Sequence, residues 1–79
     1  MDTKRVLIEE YKKTIKRYND LTKYEKTFTD EWGINYINNE KREVFAAEDS
    51  INNIAKKLGY DDLELRHEAR VELSNEEAH

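Results

Sequence analysis

LELRHEARVELS, residues 63–74, alternates between apolar and charged side chains, and whether it coils or extends decides the architecture. Extended, it sets Leu63, Leu65, His67, Ala69, Val71 and Leu73 on one face and Glu64, Arg66, Glu68, Arg70 and Glu72 on the other, with opposite signs two residues apart. Coiled, it stacks like charges at four-residue steps: Glu64 with Glu68, Glu68 with Glu72, Arg66 with Arg70. Period and charge both favour a C-terminal strand over 62–74, with 75–79 as a frayed tail. Such a strand spans ~36 Å, longer than any pairing arm before it, and its surplus edge is expected to meet a second subunit or another protein.

Working back, AEDSINNIAKKLGY reads as a helix over 47–59. Ile51, Ile54, Ala55 and Leu58 share a face, Lys56 and Lys57 lie in the last turn, and Gly59 suits a left-handed stop with Tyr60 folding back on Ile54 or Ala55. Before it, Gly33 to Ala46 is punctuated as a β-hairpin: Ile34, Tyr36 and Ile37, a polar turn at Asn38-Asn39-Glu40-Lys41, then Val44-Phe45. Residues 1–30 read as one long amphipathic helix striped by Leu7, Tyr11, Thr14, Tyr18, Leu21 and Phe28, with Asp2 or Thr3 as its cap. At ~40 Å it overhangs a compact chain of this size. Either it breaks around Asn19-Asp20, whose side chains suit a turn or a new cap, or a partner chain covers the overhang. The stripe's continuation to Leu21 favours the unbroken helix. The expected fold is a single small α+β domain over 1–79: a long N-terminal helix, then a ββαβ unit with a three-stranded sheet and both helices on one face.

Composition sets the limits. A 79-residue chain holds a core worth only ~3–5 kcal/mol without a staple. Cysteine is absent, and His67 and His79 are the two histidines, so neither disulfides, thiolate zinc sites nor a histidine metal cluster is expected. The longest apolar run, Val44 to Ala47, is too short for a membrane span, which points to a cytoplasmic protein. Residues 1–29 carry eight Lys and Arg against five Asp and Glu, a net +3, and residues 30–79 carry six against thirteen, a net −7.

Four surface features could bind something. Arg5, Lys12, Lys16 and Lys23 form a stripe on the first helix, a candidate phosphate or acidic-partner surface, or a solvated face diluted by Glu9 and Asp20. Tyr11 and Tyr18 could anchor an interface or fill core. The outer row Glu64, Arg66, Glu68, Arg70 and Glu72 flanks the surplus strand edge. The carboxylates of Asp61-Asp62, Glu40, Glu43, Glu48-Asp49 and Glu76-Glu77 could imitate a phosphate backbone. His67, alone on the apolar face, suits packing better than catalysis.

No phosphate loop, nucleophile elbow, calcium loop or metal-hydrolase pattern occurs, so no catalytic, cofactor or metal residue is expected. The expectation is a non-enzymatic interaction protein, a homodimer, that inhibits or regulates a larger protein by occupying its surface, a nucleic-acid-handling enzyme being one candidate. Small acidic chains of this kind include phage and mobile-element accessory proteins of the anti-CRISPR or anti-defence type, an analogy of class alone. The alternative is a small dimeric nucleic-acid-binding regulator using the basic stripe.

Overall fold

A computed structural model describes residues 2–77. Among them the chain is all helical: α1 spans Thr3–Glu25, α2 spans Glu31–Lys57 and α3 spans Asp62–Glu77. The expected α+β fold with its three-stranded sheet is corrected on both counts. The hairpin over 33–46 is the interior of α2, and the strand over 62–74 is α3. Of the expected tail, Asn75 to Glu77 finish α3. Met1, Ala78 and His79 lie outside the described residues.

Each helix start has a local cause. Asp2 caps α1 by accepting a hydrogen bond from the Lys4 amide at 3.0 Å, and Asp61 caps α3 by accepting from the Leu63 amide at 3.0 Å. Asp30, with extended backbone, holds the N-cap position of α2. The ends differ. At the close of α1 the Thr27 amide and hydroxyl both donate to the Tyr24 carbonyl, at 2.9 and 2.7 Å, so the turn is made without glycine. Gly59 closes α2 at φ 84°, a left-handed geometry that other residues adopt at a cost. The next amide, of Tyr60, then donates back to the Ala55 carbonyl at 2.9 Å, and the Tyr60 ring packs against the core.

Gly33 does something else. It lies buried in the first turns of α2, where an added Cβ would sit 2.6 Å from the Phe28 ring. Its missing side chain lets the returning chain pack directly on α2. From Gly33, α2 buries Ile37, Val44, Ile51 and Ala55 at steps of four and seven, and α1 buries Leu7, Ile8, Tyr11, Thr14 and Leu21 opposite them. The two run antiparallel. The overhang expected of the first helix is therefore covered by the chain's own second helix.

α3 is shorter, 16 residues against 23 and 27, and covers one end of the helical hairpin that α1 and α2 form. Leu65, Ala69 and Leu73, at four-residue steps, are its buried row. Two apolar clusters result. Leu7, Ile8, Tyr11, Ile51, Ala55, Leu65 and Ala69 form a three-helix core, whereas Leu21, Ile37 and Val44, with Phe28 against them, form a smaller two-helix core. Tyr11 is fully buried, and its hydroxyl donates to Asn52 Oδ1 at 2.6 Å.

A half-covered groove as the candidate interaction surface

α3 is held on the hairpin by charge as well as by its apolar row. Lys4 pairs with Glu68 at 3.7 Å, Arg5 binds Glu72 through both terminal nitrogens, and Lys12 pairs with Glu76 at 2.5 Å. Both numbers rise together, so α3 runs parallel to α1. On the α2 side Arg66 pairs with Glu48 at 2.8 Å. Glu9 braces the row, 2.5 Å from Arg5 and 3.5 Å from Lys12.

Proton affinities follow the pairing. The Arg5 guanidinium, by hydrogen bonding, holds the Glu72 and Glu9 carboxyls below the usual carboxylate range and is itself raised by both. Lys12 is raised, chiefly by its hydrogen bond to Glu76. Burial is the main cause of the raised Tyr11 phenol.

The surface residues expected from sequence now divide. Arg5 and Lys12 are engaged within the molecule, and Lys12 keeps only 8% of its surface. Lys16 and Lys23 are exposed and make no salt bridge among the described residues. Tyr11 is core, while Tyr18 is 37% exposed. Because 62–74 is helical, Glu64, Arg66, Glu68, Arg70 and Glu72 do not share a face, and the free strand edge they were to flank does not exist. Glu68 and Glu72 face α1, Arg66 faces α2, and Glu64 and Arg70 are exposed. His67 is exposed too, so its expected place on an apolar face is corrected. Asp61, Glu40, Glu48 and Glu76 are respectively a cap and the partners of Arg17, Arg66 and Lys12, which breaks up the acidic array.

Past the end of α3 the groove between α1 and α2 continues uncovered. Ile34, Asn38, Lys41 and Phe45 lie on the same side of α2 as Glu48 and Asn52, the residues that touch Arg66. Phe45 is 51% exposed and Ile34 47%. The Phe45 ring meets Tyr18 at 5.6 Å between centroids, and the Lys41 ammonium stands 5.4 Å over the Tyr18 ring while also pairing with Glu25. Two cavities mark this floor. One of 380 Å³ lies beside α3 where the covered half ends, with Tyr18, Asn19, Phe45, Glu48, Arg66 and Arg70 in its lining, and one of 300 Å³ lies beyond α3, lined by Glu25, Phe28, Ile34, Ile37 and Asn38. At the same end Trp32, 70% exposed, stacks on Tyr36 at 5.7 Å.

Sequence reading passed over Ile34, Lys41 and Phe45 as surface residues because it placed them in a hairpin. Their seven- and four-residue steps are the available signal. Among the described residues no group of three or more His, Asp or Glu side chains is placed to hold a metal ion, and no helix is long and apolar enough to cross a membrane. Comparison with protein-family models, with curated proteins and with solved structures finds no match.

Proposed function

We propose that this chain is a small non-enzymatic interaction module that engages a larger protein through the uncovered half of the α1–α2 groove. One observation carries the reading: Phe45, with Tyr18 beside it, and Ile34 farther along α2 are exposed large apolar side chains on the line that continues the seat of α3, with Asn38 and the Glu25-paired Lys41 between them. Large apolar side chains left exposed along a groove favour a macromolecular contact over solvent. Arg5, Glu9 and Glu72, whose proton affinities are displaced, are bound to one another within α1 and across to α3, a structural arrangement.

A nucleic-acid regulator working through the four-cation stripe has less support, since Arg5 and Lys12 are neutralised by Glu72 and Glu76. The decisive test places a photo-crosslinking residue at Phe45 and, in a control, at the exposed Asn53 of α2. In cells that make the protein, one protein species should be captured from position 45 and not from 53. Equal capture from both positions, or none from either, would contradict the reading.

A further inference from the structure

The covered half of the groove indicates what suits the uncovered half. Its occupant, α3, is a helix with an apolar row at four-residue steps, Leu65, Ala69 and Leu73, flanked by the carboxylates of Glu68, Glu72 and Glu76. Those acids meet Lys4, Arg5 and Lys12 on α1. On α1 the cationic row does not stop where α3 does. Lys23 lies 18 residues beyond Arg5, about five full turns and hence the same azimuth, and Lys26, the C-cap residue, follows just past the end of α1. Both lysines are exposed. Neither forms a salt bridge among the described residues, whereas the floor's own carboxylates, Glu25 and Glu48, are paired with Lys41 and Arg66. Arg70 adds a further exposed cation from the α3 wall.

Resting on the interaction reading above, we infer that the uncovered half receives an acidic amphipathic helix of the partner protein, laid end to end with α3. Its apolar side chains settle over Phe45, Tyr18 and Ile34, and its carboxylates meet Lys23 and Lys26. From Ile34 to Phe45 the floor is ~17 Å long, room for about three turns of helix. The 300 Å³ cavity beside Phe28 and Ile34 can take one apolar side chain. Charge complementarity and continuity with the α3 seat favour this occupant over a second copy of the chain, and a floor that exposes Phe45, Tyr18 and Ile34 beside cations suits a helix better than a phosphate backbone.

The test titrates the full chain against a stapled three-turn helical peptide, fluorescently labelled, with leucines at four-residue steps flanked by glutamates. A second peptide carries lysine in place of every glutamate. Saturable anisotropy is expected for the glutamate peptide, weaker by about tenfold or more for the lysine peptide, weakened about tenfold by the double substitution K23E/K26E, and lost in Phe45→Asp. All three positions are exposed, and unchanged far-UV circular dichroism establishes that the variants fold. Equal or tighter binding of the lysine peptide, or an affinity indifferent to both variants, would overturn the inference. So would Phe45-dependent dimerisation in light scattering, or competition by duplex DNA. Should the glutamate peptide fail while position 45 still captures a single protein, the acidic-helix inference falls and the interaction reading stands; should both fail, both fall.

Discussion

The two ends of the molecule are built from the same pair of helices, yet one is finished and the other is open. Near Tyr11 and Ala55 a third helix closes the groove, and both residues are fully buried. Near Leu21 and Ile37 the hairpin has two layers, with a core of three buried side chains and Phe28. The difference comes from helix length, since α3 ends at about half the reach of α2. A groove that extends past its own covering helix is anchored through the closed half, which is a physical basis for the pre-formed surface that the proposed interaction requires.

The largest expected break in this comparison is Leu65→Ala. Leu65 is 2% exposed at the centre of the closed end, and emptying such a site costs ~2–5 kcal/mol, comparable with the whole stability of a domain this small. Urea denaturation should show a loss of most of the folding free energy, with α3 detached. Retention of near-native stability would mean that α3 does not sit on this core.

Gly33→Ala strikes the open end. The new Cβ would press on Phe28 ring atoms at 2.6 and 2.7 Å, and relieving such overpacking costs ~1–3 kcal/mol, partly offset by alanine's better helix propensity. A net loss of ~1 kcal/mol is expected in the same denaturation, with the near-ultraviolet signal of Tyr11 and Tyr60 at the closed end preserved. A stabilised variant would show that Phe28 is not packed on Gly33.

Acid should have the smallest effect, and at the closed end. Glu72 and Glu9 have lowered folded-state proton affinities because Arg5 donates to them. Their contribution is present above the unfolded carboxylate value, about 4.3, and disappears as pH falls through the folded value beneath it. Lys12 has the opposite sign: raised by Glu76, it contributes below the ordinary lysine value and is lost as pH rises through its higher folded one. Stability should therefore fall modestly between about pH 5 and pH 3, and the fall should shrink at high salt, where exposed ion pairs are screened. A stability that is flat over this range, or that rises, would remove Arg5, Glu9 and Glu72 from the account.

Legibility was uneven along the chain, for physical reasons. The first helix shows itself by local signals, an apolar stripe and a capping aspartate, but it ends at Glu25 rather than at residue 30 and leaves Phe28 in the connection to α2. The stop at Gly59 is equally local. α3 was misread because period two and period four share members: Leu65, Ala69 and Leu73 fit either. The like-charge steps that argued against a helix are penalised by only ~0.2–0.5 kcal/mol each. Here the steps that join Glu68, Glu72 and Glu76 form an acid row that meets Lys4, Arg5 and Lys12 on another helix. No pairwise rule within one segment contains that partner.

The hairpin was misread through Asn38-Asn39, polar residues that tolerate a turn but do not impose one. More telling was the absence of proline throughout the chain and of glycine between Gly33 and Gly59. The open floor could have followed from the helical steps of Ile34, Lys41 and Phe45. Its exposure depends on where α3 ends in space, which local periodicity does not specify.

Native-state hydrogen exchange, followed residue by residue at low protein concentration, tests the difference between the ends most directly. Amides around Tyr11, Ala55 and Ala69 should open only at close to the global unfolding free energy, while those around Leu21, Ile37 and Val44 should exchange through cheaper, local openings. Uniform protection along α1 and α2, or a two-helix end slower than the three-helix end, would contradict the account, because something other than α3 would then be closing the groove.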